Sequence, residues 1–213
     1  MKVLFVKLEC RESLRKAIMG ALLVGMLVST VVLTIQPSRD EWVWSTGNFL
    51  GSIGNDTFLI LSNLFIISWA WRKRLRSVIK LTLMLDLFVW IFVQGIKMMH
   101  IEPWYLRPNG GTGGFPSGHA THAFAMAFLL TLYFPRFSWV WYSCAAAIAW
   151  SRVETDWHTG FQVTAGIVLG IILVCWLVIR WLDHPESAII QLKTREAEPG
   201  AALPSGQQSY AAE

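Results

Sequence analysis

Asn109-Gly110-Gly111-Thr112-Gly113-Gly114 runs into Phe115-Pro116-Ser117-Gly118-His119-Ala120-Thr121-His122, and an apolar run to about residue 135 follows. Glycines, then Pro-Ser-Gly, then unbroken apolar residues read as a turn handing over to a membrane-type helix. The mouth of such a helix leaves backbone N–H groups unpaired, and the helix dipole adds positive potential there. That combination suits an anion, above all phosphate. His119, one step inside, is placed to give or take a proton beside the anion. Two flanking stretches give the turn its weight: Arg107-Pro108 before it and Ser151-Arg152…His158 after it.

The surrounding chain has 213 residues, 54% apolar and only 15% charged, against about 25% charged in soluble proteins. Its 12 tryptophans suit membrane–water interfaces. The class is therefore all-α and polytopic: six transmembrane helices forming a bundle, at roughly 17–36, 51–71, 78–98, 119–135, 137–151 and 161–182. Residues 1–16 form an N-terminal cytoplasmic segment, 17–184 the six-span domain, and 185–213 a polar tail expected to be disordered. The basic N-terminus has no small-residue cleavage site after it and reads as part of an uncleaved first span. The fifth run is short and carries Trp139, Trp141, Tyr142 and Trp150 at its ends. Small residues at Cys144-Ala145-Ala146-Ala147, and at Gly166 and Gly170, predict close helix approach. The cysteines are far apart in sequence and suggest neither a disulfide framework nor a thiolate metal site.

Orientation follows from the basic residues. With both termini cytoplasmic, only Arg39, Lys97, Arg107 and Arg152 of the 18 basic residues fall outside. The net charge of +4 is spread as membrane topology requires, which gives no reason to expect a nucleic-acid partner. The partners expected are the lipid bilayer and a lipid phosphate. The protein belongs in the cell (inner) membrane with its site facing the outer, periplasmic side. This topology brings the end of span three, the start of span four and the loop between spans five and six to one face. Arg107 and Arg152 are permanent cations with forks that match phosphate oxygens. Two imidazoles around one phosphate divide the work, one attacking phosphorus and the other protonating the leaving oxygen. No carboxylate cluster has magnesium geometry, so neither metal nor other cofactor is expected.

These motifs resemble the type 2 phosphatidic acid phosphatase family, which shares its site with vanadium haloperoxidases. The family's signatures are Lys, six residues and Arg-Pro; then Pro-Ser-Gly-His; then Ser-Arg, five residues, His, three residues and Asp. Arg107-Pro108, Pro116-Ser117-Gly118-His119 and Ser151-Arg152…His158 match them. The resemblance implies a membrane lipid phosphatase with His158 as nucleophile, forming a phosphohistidine, and His119 as general acid. It implies that Arg107, Arg152, Ser117 and Gly118 hold the phosphate. Two positions depart. The lysine position is His100, with Lys97 one helical turn earlier, so both are candidate phosphate ligands. The aspartate position is Gln162, which would orient the nucleophile without carrying charge, with Asp156 and Glu154 as substitutes from the same loop. The short gap between Arg107-Pro108 and Pro116 predicts a compact lid.

Several of these residues also suit plainer roles. His119 and His122, with His158 or Glu102, have the makings of a zinc site, although two arginines would repel the cation. His122 otherwise packs in the bundle or supports His119. The glycine run alone reads as a flexible loop. Asp86, inside span three with Gln94 two turns on, is either functional or hydrogen-bonded to another helix. Asn55-Asp56 either line the site or cap a helix. Arg72-Lys73-Arg74…Arg76 set topology at anionic headgroups. Beside the phosphatase stand a lipid phosphotransferase and a non-catalytic phospholipid-binding or transport protein on the same scaffold.

Overall fold

The computed structural model describes residues 2–38 and 40–182, with the backbone alone for 2–11. Arg39 and the expected tail at 185–213 lie outside the described residues. Among the described residues the chain is an all-α membrane bundle of six helical units. Helix α1 (Lys2–Thr34) has 33 residues and begins well before the expected span at 17. An exposed Lys16–Glu12 pair at 2.9 Å supports its early turns at helical spacing.

The second unit corrects the expected boundary at 51. Asp40 accepts hydrogen bonds from the N–H groups of Trp42 and Val43 and so starts α2 (Glu41–Phe49). A π-helical turn (Leu50–Gly54) then joins it directly to α3 (Asn55–Arg72). The unit Glu41–Arg72 is 32 residues long. Gly47, Asn48, Gly51 and Gly54 disguise it, since glycine and asparagine are poor helix formers. Because the helix is continuous, Asn55-Asp56 cap nothing.

The remaining helices are α4 (Arg76–Met98), α5 (Gly118–Tyr133), α6 (Ser138–Glu154) and α7 (Gly160–Leu182). They lie close to the expected runs. Among the described residues four stretches are long and apolar enough to cross a membrane: Glu12–Thr34, Glu41–Arg72, Arg76–Met98 and Gly160–Leu182. With 16 and 17 residues, α5 and α6 are shorter than the other four helical units. Helix α5 is the axis of the bundle: Ala123 to Leu130 are all buried, and α1, α3, α4, α6 and α7 all pack on it. Its contact with α7 is the closest. A side chain at Gly166 would run into the Ser117 carbonyl, and one at Gly170 into the Thr121 carbonyl. The outer faces of α1 and α4 expose Leu23, Met26, Leu27, Leu87 and Trp90, an apolar surface suited to lipid.

Candidate active site

At one end of the bundle three segments meet: the α4–α5 connection, the first turn of α5, and the α6–α7 connection. Hydrogen bonds stitch them together. The Ser117 N–H donates to the Gln162 carbonyl at 3.0 Å, and the Asn109 N–H to the Asp156 carbonyl at 3.1 Å. The glycine run is a hydrogen-bonded turn. The Arg107 N–H reaches the Gly111 carbonyl (2.8 Å), the Gly110 N–H the Arg107 carbonyl (3.0 Å) and the Gly114 N–H the Tyr105 carbonyl (2.7 Å). Gly110 and Gly113 have φ of 83° and 69°, which glycine adopts without strain.

Helix α6 ends with Asp156 in the left-handed region (φ 55°), a conformation Asp tolerates better than most residues. The His158 N–H then bonds back to the Arg152 carbonyl at 2.9 Å. This turn aims Trp157 at the arginines. Its indole carries both guanidiniums, with Arg107 Cζ and Arg152 Cζ each 5.1 Å from the ring centroid. Two like charges are thereby held against one aromatic ring. Sequence reasoning misses Trp157, whose one signal is an aromatic next to the histidine. The π-helical turn contributes too: Arg152 Nη1 donates to the Gly51 carbonyl at 2.7 Å, and a side chain at Gly51 would press on that guanidinium. Arg107 Nε, Arg152 Nε and Ser117 Oγ are buried atoms with no partner in the protein. Ser117 stands at the N-cap of α5 with its hydroxyl uninvolved in capping. Three donors expected to hold phosphate are therefore uncommitted, beside a helix mouth.

His158 is buried, and its Nδ1 lies 2.8 Å from the Gly114 carbonyl. A carbonyl only accepts, so Nδ1 carries the proton and Nε2 presents a lone pair. Burial, then the charges of Arg152, Arg107 and Lys97, hold its pKa well below the usual imidazole value, against a small opposing effect of the Gly114 bond. The Gln162 carboxamide is hydrogen-bonded elsewhere than to the imidazole, and the expected orienting bond is corrected. Its Nε2 donates to the carbonyls of Trp104 (2.7 Å) and Leu106 (2.8 Å), and its Oε1 accepts from the Thr159 N–H (3.0 Å). The substitutes are elsewhere as well. Glu154 accepts from the Ser38 N–H at 2.8 Å, and Asp156 is exposed.

Lys97 crosses the glycine turn. Its Nζ lies 3.9 Å from where a Gly118 side chain would begin, and its charge is felt at His158. His100 is exposed, packs its ring at a tilt against Tyr105 with centroids 4.3 Å apart, and bonds through Nδ1 to the Met98 carbonyl. It is not among the cations that act on His158. His119, half-buried, lies within electrostatic reach of Arg152, Asp56, Lys97 and Arg107. Asp56 thus sits on the site side of α3. His122 is paired with Asp86 of α4 through Nε2···Oδ1, which is the helix-to-helix bond expected of that carboxyl and turns His122 to α4. Among the described residues no three His, Cys, Asp or Glu side chains gather in a metal-binding group.

A family model described as "PAP2 superfamily" matches residues 98–185, a stretch with every motif above except Lys97 and the Gly51 turn. The bacitracin transport permease protein BcrC of Bacillus licheniformis is 34% identical over 107 residues, 47% of this chain and 52% of that protein. The chain thus spans about half the length of the curated relative it matches. No solved structure matches.

Proposed function

We propose that this chain, whose residues 98–185 match the PAP2 superfamily model, is a type 2 phosphatidic acid phosphatase family member: an integral membrane lipid phosphatase working through a phosphohistidine, without metal. The observation that carries this is the set of uncommitted buried donors, Arg107 Nε, Arg152 Nε and Ser117 Oγ, beside the buried His158 with its Nε2 free. His158 Nε2 attacks phosphorus, and the P–O bond to the lipid breaks as His119 gives its proton to the leaving oxygen. Water then attacks the phosphohistidine while His119 takes a proton from it; phosphate leaves and both imidazoles return to their starting forms. The two arginines, Lys97 and the N–H groups at Gly118 and His119 hold the equatorial oxygens, whose charge they stabilise in the transition state. An acceptor hydroxyl in place of water turns the same chemistry into phosphotransfer.

The site faces the outer leaflet, with both termini cytoplasmic. Candidate substrates are polyprenyl pyrophosphate, phosphatidate, phosphatidylglycerol phosphate and lipid A phosphate. Purified protein should release phosphate from at least one of them in chelator-treated buffer, and His158→Ala should abolish release. Full activity in that variant removes His158 as nucleophile. A second reading, transport, is favoured by the Asp86–His122 pair within the bundle and by the relative's name. It requires Asp86→Asn to stop substrate movement across vesicles while leaving phosphate release intact.

A further inference from the structure

We propose that Gln162 is a positioning residue for His158 and acts through the Gly114 carbonyl, not on the imidazole. This role presupposes His158 as the nucleophile. The Gln162 carboxamide spends both N–H groups on the α4–α5 connection, at Trp104 and Leu106, and its oxygen on the Thr159 N–H at the mouth of α7. Its main-chain carbonyl takes the Ser117 N–H at the mouth of α5. One residue therefore ties together all three segments of the site. Gly114 lies directly against that carboxamide: a side chain at 114 would run into Gln162 Nε2 and Cδ and into the Leu106 carbonyl. The Gly114 N–H is fixed to Tyr105, so its carbonyl is left facing His158 Nδ1 at 2.8 Å. Movement of the connection by about 1 Å would turn that acceptor away and free the imidazole to change tautomer.

A carboxylate cannot replace this clasp. It has no N–H for the Trp104 and Leu106 carbonyls, and it would set negative charge against two carbonyl oxygens. The motif alone suggests that Gln162→Asp restores an acid and raises turnover; the hydrogen bonds require the opposite.

The test compares wild type with Gln162→Glu, Gln162→Asp and Gln162→Met. Turnover of a lipid phosphate is measured with KM, beside binding of inorganic vanadate by thermal shift. The expected kcat loss is about 100-fold, the cost of a misplacement of about 1 Å. KM and vanadate affinity should move by less than about 3-fold, because the carboxamide bonds to no side chain among the phosphate donors. Wild-type kcat in any variant, or a gain in Gln162→Asp, overturns the clasp; so does parallel loss of kcat and vanadate binding. Where the variants do not fold, ¹⁵N spectra of the wild-type histidines decide, with His158→Gln for assignment. An Nδ1–H tautomer at His158 is expected, and an Nε2–H tautomer overturns the proposal. A wild type that releases no phosphate from any lipid sinks the phosphatase reading instead, and the tautomer still tests the clasp.

Discussion

Trp157 has the least obvious role of any side chain at the site. Each guanidinium sits 5.1 Å from its ring centroid, so truncation removes two cation–π contacts at once. At about 0.5–1 kcal/mol each, Trp157→Leu should raise KM and weaken vanadate binding about 5- to 30-fold. Trp157→Phe should recover most of that loss, because the π-face remains; equal losses in both variants would contradict the brace. Acid sensitivity follows from His158. The proposed nucleophile attacks only as the neutral imidazole, and burial with three cations disfavours its proton. Falling pH therefore protonates it later than an ordinary histidine. The acid limb of kcat/KM, once the substrate's own titration is divided out, should lie below about 6.5; a limb at or above that value contradicts the environment described. Histidines and arginines are legible in the sequence because their chemistry is in their side chains. The partner of His158 is not: it is a backbone carbonyl at Gly114, which no side-chain pattern announces. Gln162 is found by position but misread, since spacing reports where a side chain sits and not whether it donates or accepts.

Helices α5 and α7 form the frame that holds the site at register. Gly170 lets α7 approach the Thr121 backbone, whereas Gly20 of α1 has open space around its Cα. Gly170→Leu should therefore cost at least the roughly 1–3 kcal/mol typical of overpacking, seen as a lower Tm in detergent, while Gly20→Ala should be neutral. Equal Tm for both would show that the approach is not needed. The glycine spacing in the last span is readable in the sequence, because one period suffices to place both residues on a face. The Glu41–Arg72 unit is only half legible. Its membrane portion is apolar, but its glycines and Asn48 lie where the chain bulges into a π-turn to present the Gly51 carbonyl to Arg152. Local propensity there gives way to a contact 101 residues away.

For the whole molecule, the bundle gathers the proposed phosphate donors at one end and Arg72, Lys73, Arg74 and Arg76 at the turn between α3 and α4. With the native cysteines replaced, Asn109→Cys should react with an impermeant maleimide in intact cells and Arg74→Cys only after permeabilisation; the reverse pattern would invert the orientation. Six apolar runs make the bundle legible, because hydrophobic length survives any packing. What they withhold is that the α5 span, one of the two shortest, is the axis around which the others are arranged. The central claim is that a phosphoryl group passes through His158. The most direct test is rapid quenching of the purified protein with a ³²P-labelled lipid phosphate or diphosphate, followed by peptide mapping. Acid-labile, alkali-stable label on the peptide carrying His158, absent in His158→Ala, is the predicted result. Phosphate release with no labelled protein, or label that survives His158→Ala, would contradict it.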